Sequence, residues 1–303
     1  MKIVSITLEE DDNAQVIFET LNARGTDLNA LDLTKNAVFA DAQRQQLDTD
    51  ALYADVWLPQ LDDGYWRTGR RQGRLFRPTG ELFLMHWLTM KSRELVPATE
   101  LFPAFRRRVL ARNKDAGALI HELCSDATVM RSFDEMPKDS PEKLFFDRFE
   151  ILDASVILPV ILLLFRSPEV TVQRRRRALR ILESWLTRRV LMRLQPKNYN
   201  RLAPRLVAKL SGDLEHADDR LFDALVGGEG EISRWPDDQE LRTHLTTRAM
   251  YGNVSSVRLG MVLAGIEASL YSNKVEIPDI PGVVVDRTPD APGMGGALGD
   301  HQR

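Results

Sequence analysis

The chain of 303 residues is long enough for one large domain or two modest ones, and 43% hydrophobic with 28% charged residues is the composition of a globular protein with a sizeable core. A formal net charge of −3 argues against a purely electrostatic nucleic-acid binder, and the single cysteine, Cys124, excludes an intrachain disulfide and a cysteine-built metal site, as expected in a reducing cytoplasm. Lys2 is followed by a short apolar run and then by Glu9, Glu10, Asp11 and Asp12, so no signal peptide is expected.

In chain order, "KIVSITL" alternates and is rich in β-branched residues, and reads as a strand. Asp11 or Asp12 then caps a helix whose buried face is Ala14, Ile17, Phe18 and Leu21 and whose polar face is Gln15, Glu19 and Asn22. Gly25 is placed to end it in a left-handed cap, and Asn29 with Asp32 starts a second helix through about Gln45. From there nearly everything reads as helix. Residues 82–88, 101–110 and 118–124 are amphipathic pieces; Leu179, Leu182, Leu186 and Val190 form one stripe, and Leu259, Leu263, Ile266 and Leu270 another. The run "ASVILPVILLLF" at 154–165, with Pro159 inside it, is too short to span a bilayer and reads as a buried core helix. Loops are expected at 61–80, 136–141, 195–203 and 226–239. After Ile280 the chain is rich in Gly and Pro, lacks periodicity, and has the composition of a disordered tail.

The stretch "IFETLNARGTDLNALDLTKN" gathers Glu19, Asn22, Arg24, Gly25, Asp32, Lys35 and Asn36 around two short helices. Arg and Lys beside a Gly turn and a helix N-terminus are the parts of a phosphate cradle, and a nearby carboxylate could hold a metal or position water. The competing reading is a solvated helical hairpin with surface ion pairs, and the periodicity is the same for both. A second set of features is basic. Arg67, Arg70, Arg71, Arg74 and Arg77 are interleaved with Tyr65, Trp66 and Phe76, while Arg106, Arg107 and Arg108, and Arg174 to Arg177, form two further clusters. Arginine with aromatics can hold a nucleic-acid backbone and stack bases, although charge runs usually form solvated faces. His86, His121, His216, His244 and His301 stand at no ligand spacing, and no phosphate-loop, zincin or nucleophile-elbow motif is present. The residues show no self-contained catalytic site.

The opening stretch resembles the signature of the GmrSD-type family of modification-dependent restriction enzymes. The resemblance is carried by Phe18-Glu19-x-Leu21-Asn22-x-Arg24-Gly25-x-x-Leu28, then Asp32-Leu33-x-Lys35-Asn36. Residues 182–202, notably Trp185, Arg188, Arg189, Asn198 and Tyr199, are similar to the family's central helical region, and 255–270 to the helix before its nuclease motif. The resemblance implies an N-terminal ParB/sulfiredoxin-like domain that hydrolyses nucleotide and carries an Asp-Gly-Gln-Gln-Arg motif. It also implies a C-terminal His-Me finger (HNH-like) nuclease with a Glu-His-x-x-Pro motif and a divalent metal. Neither motif occurs here. Shifting the tail from Asp286 to Gly299 by one base permits a reading that contains Glu-His-x-x-Pro, which points to a frameshifted tail.

The expected architecture is mainly α. Residues 1–45 are expected to be the remnant of the nucleotide-hydrolysing domain, 46–282 a helical domain leading to the nuclease, and 283–303 the disordered, frameshifted tail. Nucleotide contacts fall to Glu19, Asn22, Arg24, Gly25, Asp32, Lys35 and Asn36. Nucleic-acid contacts fall to Arg67, Arg70, Arg71, Arg74, Arg106, Arg107, Arg188, Arg189, Asn198 and Tyr199. No catalytic residue, resident cofactor or metal ligand is expected in this chain; NTP and a divalent metal belong to the intact family. The expected function is that of a fragment of a nucleotide-dependent endonuclease that cleaves modified phage DNA, inactive by itself. DNA, the missing domains or a homo-oligomer are the expected partners, with no membrane. The rival readings are a non-catalytic helical DNA- or partner-binding protein and a decayed gene product.

Overall fold

The computed structural model describes residues 29–73, 75–196, 199–228 and 234–270. The expected N-terminal strand, Glu19, Asn22, Arg24, Gly25, Arg74, Asn198 and the tail lie outside the described residues. Within them the chain is mainly helical, as its periodicity predicts. Helix α1 spans Ala30–Arg44. The Asn29 side chain accepts from the Asp32 N–H at 2.9 Å, so the expected start is the true one. Helix α2 is a continuous run of Thr49–Ala51, a π-helical turn at Leu52–Trp57, and Leu58–Leu61. Pro59 explains the π turn: it has no N–H for the carbonyl four residues back, and its ring pushes that carbonyl aside.

The segment expected as a loop at 61–80 is instead ordered. It contains α3 (Gly64–Arg67) and an antiparallel ribbon, β1 (Gly69–Gln72) and β2 (Leu75–Pro78). The pairs Gly69 with Pro78, Arg70 with Arg77, Arg71 with Phe76 and Gln72 with Leu75 set its register. Gly73, at φ +57°, takes the left-handed conformation that a two-residue turn requires. Four-residue strands holding three arginines carry no β-branched alternation, so propensity gives no sign of them. Tertiary anchors hold the ribbon instead, as described below.

The remaining helices are α4 (Thr79–Ser92), α5 (Leu101–Arg108), α6 (Ala116–Ser132), α7 (Pro141–Leu152) and α8 (Leu158–Arg166). They continue with α9 (Val172–Leu191), α10 (Tyr199–Leu210), α11 (Ala217–Val226), α12 (Asp238–Thr247) and α13 (Ser256–Leu270). Helix α8 is the expected core helix. It packs against α4, α6, α9 and α10, and Pro159 sits in its first turn, where a missing N–H costs nothing. Helix α4 is buried nearly all round, not on one stripe as its central residues suggest. The expected loop at 195–203 ends early: α10 begins at Tyr199 and carries Pro204 within it.

Two further features matter for organisation. Helix α1, expected to belong to the N-terminal unit, packs on α4, α5 and α6 and buries Leu31, Val38 and Ala42, so packing is continuous across the expected boundary after residue 45. In α13 the expected stripe is only partly covered. Leu259 is buried, but Leu263, Ile266 and Leu270 are 41%, 51% and 75% exposed. Periodicity announces an apolar face; it does not supply the surface that covers it. Among the described residues no helix is long and apolar enough to cross a membrane.

Candidate nucleic-acid interface

The described half of the signature motif lies on α1. Asp32 and Lys35 are half-buried and Asn36 is exposed, on neighbouring turns of one face. The anion position at the N-terminus of this helix is already filled from within the fold. The Ala30 N–H donates to Glu81 Oε1 at 2.9 Å, and the other Glu81 oxygen pairs with Arg77 at 2.8 Å. Lys35 is likewise engaged, with Asp62 at 3.1 Å and over the Tyr53 ring at 5.6 Å. Asp62 also accepts from the Tyr53 hydroxyl at 2.8 Å and from Arg67 at 2.5 Å. Burial alone would raise the Asp62 carboxyl, but the hydrogen bonds from Tyr53 and Lys35 outweigh it and hold the group below the usual carboxylate range. Tyr53 and Asp62 carry this junction, and no motif in the sequence points to either; only the fold brings the π turn of α2 beside α1.

Most of the arginines in the basic clusters are also spent inside the protein. Arg174 and Arg177 clamp Asp218 and Asp219 of α11, and Arg176 binds Glu142 of α7 at 2.7 Å. Arg108 pairs with Glu94 at 2.8 Å, and Arg107 approaches Glu100 at 4.0 Å. Arg188 binds Asp238 and the Pro236 carbonyl and lies over the Trp235 ring. Arg189 is fully buried at 0% exposure. It donates to the Tyr199 hydroxyl at 2.8 Å and to the Arg234 carbonyl at 2.9 Å, and it lies over the Trp185 and Tyr199 rings, each 5.3 Å to the centroid. Neither Arg189 nor Tyr199 has surface to offer a DNA backbone. Arg106 is exposed and makes no ion pair among the described residues.

The ribbon separates its arginines by parity. On the inner face Arg70 grips both Asp134 oxygens at 3.1 and 2.5 Å, and Asp134 also accepts from the Tyr65 hydroxyl at 2.6 Å. Burial tends to raise the Asp134 carboxyl; the Arg70 and Tyr65 hydrogen bonds prevail and lower it. Gln72 meets the buried His86 at 3.0 Å, and Arg77 meets Glu81. On the outer face stand Gly69, Arg71, Phe76 and Pro78. Arg71 is exposed and forms no ion pair among the described residues, and its cross-strand neighbour Phe76 is 71% exposed. A Cβ on Gly69 would lie 2.5 Å from the far end of the Phe76 ring, so glycine lets the ring settle over this strand. The far end of the Phe76 ring therefore lies over Gly69, with Arg71 as its cross-strand neighbour.

Comparison with known proteins finds no family model, curated protein or solved structure that matches the chain. The site is therefore read from its own geometry. Among the described residues no cluster of three or more His, Cys, Asp or Glu is arranged to hold a metal, so the divalent metal implied by the resemblance has no seat among them. What the described surface does offer is the ribbon's outer face: a cation, an aromatic ring and a rigid base beneath them.

Proposed function

We propose that this chain is the helical, DNA-contacting part of a nucleotide-dependent restriction endonuclease of the GmrSD type, acting in the cytoplasm on modified foreign DNA and not cutting DNA by itself. The observation that carries the DNA-contacting part is the exposed Arg71, which forms no ion pair among the described residues, beside the exposed Phe76 on a ribbon whose other face is fastened to Asp134, His86 and Glu81. An exposed guanidinium next to an open ring, on a ribbon anchored from its other face, binds phosphate and stacks on bases of any sequence. The place in a restriction system rests on the long signature from Phe18 to Asn36. In this reading NTP and the divalent metal belong to the family's nucleotide-hydrolysing and nuclease domains.

The test is fluorescence anisotropy of labelled DNA with the full chain. Phe76→Ala weakens binding about tenfold, the size of one lost base stack. Arg71→Ala weakens it by a similar factor and reduces the salt dependence by about one unit. Arg70→Ala has a different signature, because its guanidinium holds Asp134 and not a ligand: it loosens the ribbon. Unchanged affinity in both Arg71→Ala and Phe76→Ala overturns the assignment of the interface.

A further inference from the structure

The ribbon roofs a cavity of about 450 Å³, with Arg70, Arg71 and Gln72 in one wall. That volume lies within the range of small-molecule sites, about 300–1,000 Å³. Part of the lining is apolar and aromatic: Phe133 and Phe146 are stacked, ring centroids 4.7 Å apart at 22°, and Phe149 and Leu158 also line the cavity. Phe146 is the half-buried member of the stack, and with Phe133 it lends the cavity an aromatic surface.

The charges around the cavity divide into two sets. Arg70 with Asp134, and Lys143 with Asp147, neutralise each other. Glu150 and Asp153 line the same cavity, are exposed, and form no ion pair among the described residues. Arg71, also in the lining, is exposed and forms no ion pair among the described residues. An aromatic platform, two acceptor-only carboxylates and one guanidinium describe a particular guest: a flat ring whose hydrogen-bonding edge donates, attached to an anion.

We propose that this cavity holds a single nucleobase bearing an exocyclic amine, such as cytosine, extruded from the DNA that the ribbon contacts. The ring stacks on Phe146, the amine donates to Glu150 or Asp153, and Arg71 takes the adjoining phosphate. Carboxylates accept from the cytosine amine, whereas thymine turns carbonyl oxygens toward them and is repelled. A base must leave the duplex stack to enter a walled cavity, at a cost of a few kcal/mol that a single-stranded or mismatched site lowers. Extrusion rests on the DNA-contact reading above; the affinity of the cavity for a base does not.

Two measurements on the full chain separate these. In the first, deoxycytidine, deoxyadenosine and thymidine monophosphates are titrated calorimetrically. In the second, a duplex carrying one 2-aminopurine, which also bears an exocyclic amine, is followed by anisotropy for binding and by emission for unstacking. The expected result is at least about tenfold tighter binding of the cytosine and adenine nucleotides than of thymidine monophosphate. That preference is lost in the double variant Glu150→Gln with Asp153→Asn, and duplex binding brings a rise in emission that the double variant lacks. Both substituted residues are exposed, so the double variant retains the fold. Duplex binding without an emission rise and without nucleotide preference overturns this inference and leaves the DNA reading standing. Nucleotide preference without duplex binding overturns the DNA reading and extrusion, and keeps the cavity as a nucleobase site. Equal binding of all three nucleotides, or of none, removes the amine assignment.

Discussion

Replacing Arg189 with methionine lowers the unfolding free energy by about 3 kcal/mol, the largest loss expected from any of the arginines in the basic clusters. Methionine nearly fills the space, so the cost is polar. The Tyr199 hydroxyl and the Arg234 and Gln195 carbonyls lose donors at 2.8, 2.9 and 3.3 Å, in a site the guanidinium occupies at 0% exposure. Each orphaned acceptor costs about 1 kcal/mol, and two cation–π contacts go with them. Relief of the buried charge offsets part of this, but an apolar replacement is neutral only where the polar partners are replaced too. Chemical denaturation measures the loss, and DNA anisotropy on the same sample, well below its unfolding transition, shows affinity unchanged. A variant of normal stability with weakened DNA binding would contradict the structural role and return Arg189 to the interface.

Acidification provides the second large effect. His86 is 2% exposed, and burial pushes its imidazole down to about 3 from the ordinary value of 6.5. With Gln72 Oε1 facing it at 3.0 Å, Nε2 carries the proton and donates, and the ring stays neutral. A histidine whose folded pKa is depressed binds its proton in the unfolded state first. Its contribution is therefore intact above pH 6.5 and is lost progressively as pH falls toward 3. Between pH 7 and pH 4.5 that loss is about 2.5 kcal/mol. Asp126 acts in the opposite sense: burial, the largest cause, raises its carboxyl despite Arg166 and Trp87. The informative quantity is thus the difference between the wild type and His86→Gln, which keeps a partner for Gln72 and removes the titration. Urea unfolding at pH 7 and at pH 4.5 should show the wild type losing about 2.5 kcal/mol more than the variant. Equal losses would mean that His86 is not held neutral by its surroundings.

What the sequence reveals about this fold follows from how local each cause is. The start of α1 is legible because Asn29 caps it through a bond three residues away. Helix α8 is legible because a short, wholly apolar run has one stable place, the core. The ribbon is not legible, because its anchors are remote: Arg70 finds Asp134, 64 residues on, and Gln72 finds His86, 14 residues on. The same distance hides the fate of the basic clusters. Arg174 and Arg177 look like a surface charge run until α11 brings Asp218 and Asp219 alongside, more than 40 residues later. Arg71 differs from Arg70 only in strand parity, which register alone fixes. Sequence therefore gathers arginine and aromatics at 65–77 as a group, and the structure decides which of them face outward.

The most direct measurement is the affinity of the full, unmodified chain for a labelled duplex between 50 and 200 mM salt, conditions in which phosphate contacts declare themselves. The account predicts measurable binding whose logarithm falls linearly with the logarithm of salt, with a slope of roughly one to three units, as few free cations adjoin the ribbon. Binding that is absent at the lowest salt, or present with no salt dependence, would contradict the claim that this helical protein meets DNA through Arg71 and Phe76.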